Sequence, residues 1–252
     1  MVRVFFFVRG KVLGHAPLPS FMTAFRALRD CQIAQSELTP RFAFLTPPTA
    51  KLMAREGGCM GIYDRYVLPK LIDTACGMGD VMKCRARLVP KAYGDVLEIG
   101  IGTGLNLACY DKARVTRVTG VDPAAQMQAT ARRRAAGIGI PVDMVAVDVR
   151  GIHADAGRFD TIVMTFTLCS IADPLPALQE MKRVLADHGR LLFCEHGLAP
   201  EQSVRGWQRR LTPWWKPLAG GCHLDRDIPA LLTEAGFVIE QLDTGYNHRY
   251  PW

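Results

Sequence analysis

Residues 96–106 read VLEIGIGTGLN, an apolar run that ends in three alternating glycines, Gly100, Gly102 and Gly104. A strand that turns sharply at its end needs glycine, because a Cβ disfavours positive φ and keeps a ligand away from the backbone. In open α/β sheets, ligands bind past the carboxyl ends of the strands, where such a turn lies. The stretch therefore predicts a strand followed by a ligand-binding turn.

Similar short apolar runs continue along the chain, separated by segments able to form helices. The predicted strands cover residues 95–100, 117–122, 142–148, 159–168, 190–196 and 237–243. The predicted helices cover residues 105–113, 124–136, 176–189 and 228–237. Apolar strands joined by helices are typical of a parallel sheet that is buried on both faces. The fold class is therefore α/β, a doubly wound three-layer sandwich with a mostly parallel sheet.

Carboxylates near the strand ends restrict the chemical class of ligand that can bind at the glycine turn. A dinucleotide fingerprint needs a third small residue, but counting from Gly100 places Leu105 there. Glu98 would also direct a negative charge toward a pyrophosphate, which Coulomb's law disfavours. Asp122 ends the second strand, where a carboxylate can accept hydrogen bonds from both ribose hydroxyls or cap the following helix. Asp148 ends the third strand, although Asp there is also common as a turn residue.

A cationic, phosphate-free nucleoside meets these demands, and S-adenosylmethionine is one. At Glu98, Gly100, Gly102 and Gly104 the sequence resembles the first motif, E-x-G-x-G-x-G, of the class I S-adenosylmethionine-dependent methyltransferases. The resemblance implies that Glu98 interacts with the methionine end of the cofactor and that Asp148, with the amide of Val149, receives the adenine. The expected cofactor contacts are Glu98, Gly100, Ile101, Gly102, Gly104, Asp122, Pro123, Asp148, Val149 and Thr165.

Later motifs resemble particular branches of that class, over about residues 60–246. The segment EMKRVLADHGRLLFCEHG (180–197), the run TLCSI (167–171) and GCHLDRDI (221–228) resemble three groups. These are bacterial phosphatidylethanolamine N-methyltransferase-like proteins, ubiquinone and menaquinone C-methyltransferases, and animal methyltransferase-like thiol methyltransferases. The resemblance implies a small, apolar or lipid-like acceptor: a phospholipid amine, a quinol or a thiol.

His196, at the end of the fifth strand, is the residue best placed to act as a general base. A histidine hydrogen-bonded to neighbouring backbone is an equally good interpretation of the same position. An aromatic insertion at about 200–224 carries three tryptophans and several arginines. This insertion predicts either an acceptor pocket or a surface segment that contacts a membrane. An equally good interpretation is that its tryptophans form the core of an extra helical layer.

Composition excludes several classes of protein. The chain has 252 residues, of which 49% are hydrophobic and 22% charged, and it has no apolar run long enough to span a membrane. Its eight cysteines include no C-x-x-C pair, so neither a metal site nor a disulfide scaffold is predicted. Residues 1–59 hold 8 Lys/Arg and 3 Asp/Glu, whereas the remainder holds 23 and 21, which argues against nucleic acid as a partner. A cytoplasmic enzyme, able to contact a membrane surface, is expected.

Three regions are expected along the chain. Residues 1–59 form a poorly structured leader, and the pattern favours a native start at Met60. Residues 60–93 form helices that cover the cofactor site, and residues 94–252 form the methyltransferase core. After the last predicted strand only TGYNHRYPW remains, too short for a turn and a normal strand. The final antiparallel strand of the class is therefore expected to be missing, as after a premature stop.

Two other functions fit the same residues. A catalytically silent module would bind S-adenosylmethionine and transfer nothing. An NAD-dependent oxidoreductase would bind a nicotinamide dinucleotide and would not respond to S-adenosylhomocysteine.

Overall fold

The computed structural model describes residues 3–6, 10–11 and 63–246. The strands in these residues are β1 (Arg3–Phe6), β2 (Gly10–Lys11), β3 (Gly94–Ile99), β4 (Val115–Val121), β5 (Val142–Val145), β6 (Phe159–Thr165), β7 (Leu185–Gly197), β8 (Val238–Ile239) and β9 (Asp243–Tyr246). The α-helices are α1 (Leu68–Cys76), α2 (Gly79–Leu88), α3 (Ala125–Ala135), α4 (Pro174–Val184), α5 (Gln202–Leu218) and α6 (Ile228–Glu234).

A seven-stranded sheet in the order β5-β4-β3-β6-β7-β1-β9 forms the middle layer. The five strands from β5 to β7 are mutually parallel, as their continuous apolar character predicts. The predicted fold class, a doubly wound α/β sandwich, is confirmed. Because the strands are parallel, β3, β4 and β6 place their carboxyl ends at one edge of the sheet.

Alternating side chains of the strands bury two apolar layers, one on each face of the sheet. On one face Leu97, Ile162 and Phe193 pack beneath α4 and α6. On the opposite face Val96 and Val163 pack with residues of α2. Burying each such side chain stabilises the fold by about 1.5–3 kcal/mol. These two layers hold the strand ends in fixed positions for the site described below.

The expectation that the final antiparallel strand is missing is only partly right, because the last strand, β9, does not pair with β7 but another strand occupies its place. The first residues of the chain supply it: β1 pairs antiparallel with β7, with Arg3 opposite Gly197 and Phe6 opposite Cys194. The last described residues, β9, pair antiparallel with β1. The prediction failed because β1 and β7 are far apart in sequence, so that no local pattern joins them.

Two further expectations need correction. Residues 105–113 form no α-helix but a single 3-10 turn, Leu107–Cys109, because their polar side chains turn back toward β3. The predicted strand 237–243 shrinks to β8, which pairs with β2 outside the main sheet.

Both β1 and β2 belong to the leader 1–59, so that part of the leader is regular structure, and residues 12–62 lie outside the described residues. None of the described helices is long and apolar enough to cross a membrane.

Candidate active site

The turn after β3 depends on glycine for steric reasons. Gly100 has φ +69°, and a Cβ there would lie 2.3 Å from Oγ1 of Thr167. Gly104 has φ +81°, and a Cβ there would lie 2.7 Å from Leu107 and 3.1 Å from the backbone of Ala131. The absence of a Cβ at Gly100 therefore leaves room for the side chain of Thr167, and its absence at Gly104 lets the turn pack against Leu107 and Ala131.

A cavity of about 390 Å³ opens above this turn, at the carboxyl edge of the sheet. The predicted cofactor contacts that line it are Gly100, Ile101, Gly102, Asp122, Pro123, Asp148, Val149 and Thr165. Helices α1 and α2 add Ile72, Cys76 and Arg85 to its wall. Glu98 and Gly104 were predicted as contacts but are not among the lining residues. Its volume is in the range of small-ligand sites.

Asp122 is held rigidly at the end of β4. Its Oδ2 accepts a hydrogen bond from the backbone N–H of Gly102 at 2.9 Å, and its Oδ1 accepts one from that of Ala124 at 2.8 Å. Burial raises the pKa of this carboxyl, and the two N–H groups oppose the rise. Each carboxylate oxygen has a second lone pair, so the side chain can accept further bonds from a diol.

Asp148 faces the cavity from a more open position. Its Oδ1 accepts hydrogen bonds from the backbone N–H of Arg150 at 2.9 Å and from Nε of the same residue at 2.8 Å. The bond from the Arg150 side chain lowers the pKa of Asp148, because it favours the charged form. The carboxylate therefore stays ionised at the mouth of the cavity.

Glu98 lies behind the cavity in a buried polar network. Tyr110 Oη donates to its Oε2 at 2.7 Å, and Asn106 Nδ2 donates to its Oε1 at 3.0 Å. Burial raises the pKa of Glu98 to about 7, against these bonds and the charge of Arg85. Asn106 Nδ2 also lies 3.0 Å from Oγ1 of Thr165, a cavity residue. Asn106 therefore links Glu98 to the cavity wall by hydrogen bonds, and Glu98 itself does not line the cavity.

Arg85 is a cavity residue that the sequence did not predict. Its Nη1 donates to Asn106 Oδ1 at 2.7 Å and to Thr165 Oγ1 at 2.5 Å. Among the described residues, its Nε is the one buried side-chain N or O atom without a hydrogen-bond partner. A buried guanidinium with an unused donor suits a carboxylate ligand. The available signal was its position on the apolar face of α2, between Cys84 and Leu88.

His196 lies at the end of β7, beside two cysteines. Its Nε2 is 2.9 Å from Sγ of Cys222. The ligand atoms of Cys169, His196 and Cys222 all lie within 4.8 Å of one another. Burial opposes protonation of His196, but the bond to Cys222 and the nearby Glu195 raise its pKa overall. This cluster could not be predicted from the sequence, because its members come from three separate segments without a short spacing.

Glu195 next to it is a structural residue. Its side chain is fully buried and accepts backbone N–H bonds from Thr167 at 2.6 Å and Leu168 at 2.8 Å, with a longer one from Cys169 at 3.4 Å. Burial raises the pKa of Glu195, and these N–H groups lower it. The carboxylate therefore fixes the turn that carries Cys169.

An apolar groove of about 400 Å³ lies next to the cluster, along α5. It is lined by His196, Gly197, Val204, Trp207, Gln208, Leu211, Trp214, Trp215, Leu218 and Leu224. Trp207 is 62% exposed and Trp214 is 77% exposed, so these rings are not the core of an extra layer. Tyr63 Oη donates to the carbonyl of Leu218 at 2.6 Å, which ties the start of the helical segment before β3 to the end of α5.

A doubly wound sheet with a glycine turn and acidic residues at successive strand ends is typical of proteins that bind a nucleoside-containing ligand. A family described as a methyltransferase domain matches residues 97–193. The chain is 36% identical over 151 residues to phosphatidylethanolamine N-methyltransferase of Cereibacter sphaeroides, covering 59% of this chain and 72% of that one. It is 31% identical over 160 residues to demethylmenaquinone methyltransferase of Thermus thermophilus, covering 60% and 73%. The chain belongs to the class I S-adenosylmethionine-dependent methyltransferases.

Other relatives agree with that assignment. Thiol S-methyltransferase TMT1B of Rattus norvegicus is 34% identical over 152 residues, which are 59% of this chain and only 62% of that protein. The crystal structure of the Bacillus halodurans protein BH2331 superimposes with a TM-score of 0.56 at 20% identity, over 66% of this chain and 72% of the other, and supports the fold.

The chain therefore carries a methyltransferase domain, and S-adenosylmethionine is the cofactor of that class. The cavity fits that cofactor, because the unused Nε of Arg85 suits a carboxylate and Asp122 retains lone pairs for a diol. The prediction of the family and of the cofactor is confirmed. An NAD-dependent oxidoreductase is set aside.

Proposed function

We propose that this methyltransferase acts on a small apolar acceptor that binds in the α5 groove. The observation that carries the proposal is the groove itself, which is walled by tryptophan and leucine side chains and reaches His196. It adjoins the cofactor cavity, since Leu218 lines the groove and Gly220 lines the cavity. Thiols, quinols and phospholipid amines are the acceptor classes in the names of the relatives.

We further propose individual roles for the residues of the cavity. Arg85 would bind the carboxylate of the methionine moiety, and Glu98 would hold Asn106 and Tyr110 in place behind it. Asp122 would accept the ribose hydroxyls. The carboxylate of Asp148 would accept a hydrogen bond from the adenine edge, and the backbone N–H of Val149 would donate one to it. These roles are supported by where the side chains lie and which lone pairs and donors remain unused.

When bound, S-adenosylmethionine supplies an electrophilic methyl group on a sulfonium centre. Because the positive charge of the sulfonium is neutralised by an anionic acceptor or passes to an amine acceptor, a dry site that aligns the acceptor contributes most of the rate. The apolar walls of the groove would exclude water from the nucleophile. His196 was predicted as a general base, but its Nε2 contacts Cys222, so proton removal by a free imidazole is not part of the proposal.

A transfer assay with radiolabelled cofactor tests this function. The panel should contain an alkyl thiol, a reduced quinone, phosphatidylethanolamine and, as polar counterparts, glutathione and histamine. We expect labelled product with at least one apolar acceptor and none with its polar counterpart. A preference for polar acceptors would contradict the proposal, and binding of cofactor without transfer to any acceptor would favour the silent module.

The variant Trp214→Ala sharpens the assay. We expect KM for the apolar acceptor to rise about tenfold, because a large apolar contact worth about 1.5 kcal/mol is lost. Affinity for S-adenosylhomocysteine should not change. Leu242→Ala is the matched control, since Leu242 is an exposed apolar side chain outside the groove. Equal KM values for the two variants would show that the acceptor does not bind in the groove.

The exposed side of α5 also suits contact with a membrane surface, from which a lipid-like acceptor would be collected. Trp207 and Trp214 are exposed there, and Arg210 stacks over the ring of Trp207 at 5.8 Å. Aromatic and cationic side chains on one helix are typical of interfacial binding. Cosedimentation with anionic vesicles should therefore be stronger than with zwitterionic ones. It should decrease in Trp207→Ala and not in Leu242→Ala. The cytoplasmic location remains a proposal as well.

A further inference from the structure

Three metal-ligand side chains meet between the cofactor cavity and the α5 groove. Cys169 lies in the turn after β6, His196 at the end of β7 and Cys222 in the loop after α5. Both thiols are buried, and the imidazole is partly buried. No disulfide joins the two cysteines, which are free thiols in the structure. The cluster thus combines two sulfur atoms and one imidazole nitrogen in a protected position.

The distances within the cluster suit a tetrahedral ion. With Zn–S near 2.3 Å and Zn–N near 2.0–2.1 Å, ligand atoms of such a site are about 3.5–3.8 Å apart. The three ligand atoms here all lie within 4.8 Å of one another, with 2.9 Å between Nε2 and Sγ of Cys222. Side-chain adjustments of less than an ångström therefore suffice to surround an ion.

The backbone around the cluster is fixed independently of any ion. The N–H of His223 donates to the carbonyl of Cys169 at 2.9 Å, so the segments carrying the two cysteines are joined directly. Glu195 accepts backbone N–H bonds from Thr167 and Leu168, and the guanidinium of Arg226 donates to the carbonyl of Leu168. Such outer contacts orient first-sphere ligands in protein metal sites.

We propose that Cys169, His196 and Cys222 form a binding site for one zinc ion or a chemically similar soft divalent ion. Two thiolates and one imidazole bind zinc in preference to magnesium or calcium, because those two ions favour oxygen ligands. Nothing in the cofactor cavity needs these side chains, since none of the three lines it. The site is therefore additional to the methyltransferase cavity.

Three protein ligands leave one position of a tetrahedral ion open, as in catalytic zinc sites. His196 lines the α5 groove, and Ser170 and Gly220, the neighbours of the cysteines, line the cofactor cavity. An acceptor thiol that enters through the groove could bind at the fourth position as its thiolate, with the proton released to solvent water, because a metal-bound thiol is deprotonated. This consequence rests on the proposed acceptor groove, whereas the metal site does not.

Metal analysis of the purified full-length chain tests the site. We expect about one zinc per chain after expression with zinc and gel filtration, and loss of the ion in Cys169→Ser, His196→Gln and Cys222→Ser. Cys109→Ser is the matched control and should keep its zinc, because Cys109 lies outside the cluster. Every variant is first checked for S-adenosylhomocysteine binding, so that loss of metal is not confused with unfolding or with failure of the proposed function.

Cobalt substitution gives an independent spectroscopic test. Cobalt-loaded protein should show intense visible absorption of a tetrahedral ion and sulfur-to-cobalt charge transfer, both absent in Cys222→Ser. An added alkyl thiol should change the charge-transfer band if the fourth position is open, and an unchanged spectrum would contradict the open position. A folded, cofactor-binding protein with no stoichiometric zinc, or one with a Cys169–Cys222 disulfide, would overturn the site.

Discussion

The two halves of the active site are built in different ways. The cofactor half is formed by the turn after β3 and the ends of β4 and β6, three neighbouring parallel strands. The proposed acceptor half is formed by the end of β7, by α5 and by the loop that carries Cys222, beside an edge completed by β1. The first half is specified by short motifs, whereas the second depends on contacts between distant segments. The cofactor half should therefore be the more sensitive to single substitutions in its turn.

The largest expected effect is that of Gly100→Val. A valine at φ +69° is strained, and its Cβ would overlap the side chain of Thr167. We expect the free energy of unfolding to fall by about 4 kcal/mol and S-adenosylhomocysteine binding to be lost. Urea unfolding and calorimetry measure both quantities. Gly137→Ala is the control, because a Cβ at Gly137 would have no neighbouring atom within 4 Å, and an equal effect there would contradict the steric argument.

Glu98 should make the stability of the cofactor half depend on pH. Its pKa is raised to about 7 in the folded protein, from an ordinary value of 4.5. The folded state therefore holds this proton more tightly, so its stabilising contribution is complete below pH about 4.5 and is lost as the pH rises through about 7. Relative to Glu98→Gln, the native protein should lose up to about 3 kcal/mol over this range.

Chemical denaturation at several pH values between 4.5 and 8 measures that difference. A difference between the native protein and Glu98→Gln that does not change with pH would show that the carboxyl is ionised throughout. Asp143→Asn is a suitable control, because Asp143 is exposed and paired with Arg117 at the surface.

Asp122→Ala should weaken S-adenosylhomocysteine binding about thirtyfold, or about 2 kcal/mol, because hydrogen bonds to a charged acceptor are lost. Asp122→Asn retains one acceptor oxygen and should lose less. Calorimetric titration gives both values. An affinity unchanged in Asp122→Ala would leave Asp122 as a turn residue only, holding the N–H groups of Gly102 and Ala124.

The smallest effect is expected at the acceptor edge, from Val4→Pro. Proline cannot donate a ladder hydrogen bond, so pairing of β1 with β7 should weaken at a cost of about 1–2 kcal/mol. Hydrogen exchange at β7 amides should accelerate, while affinity for S-adenosylhomocysteine should hardly change. Val4→Thr keeps a strand-forming residue as the control. A proline variant that loses cofactor binding as strongly as Gly100→Val would show that the two halves are not independent.

The same contrast explains what could be predicted from the sequence. The glycine turn, Asp122 and Asp148 follow apolar runs directly, so their positions at the sheet edge could be predicted from local order. Arg85 and Asn106 could not, because a buried polar network is visible only once α2 packs over β3. The Cys169 and Cys222 cluster had no spacing signal at all.

Strand predictions failed in the same way at the edge of the sheet. The five parallel strands were predicted because each is a continuous apolar run. The antiparallel strand was thought missing because its residues, Arg3–Phe6, were sought after β8 and not before the first helix. Local patterns show that a segment can be a strand, but the partner is chosen by the edge that remains open in three dimensions.

The place of β1 between β7 and β9 constrains how the chain can fold during synthesis. Residues 3–6 are synthesised well before both of their partners, residues 185–197 and 243–246. Until those partners are made, this apolar segment has no native neighbour and is exposed to holding chaperones and to other nascent chains.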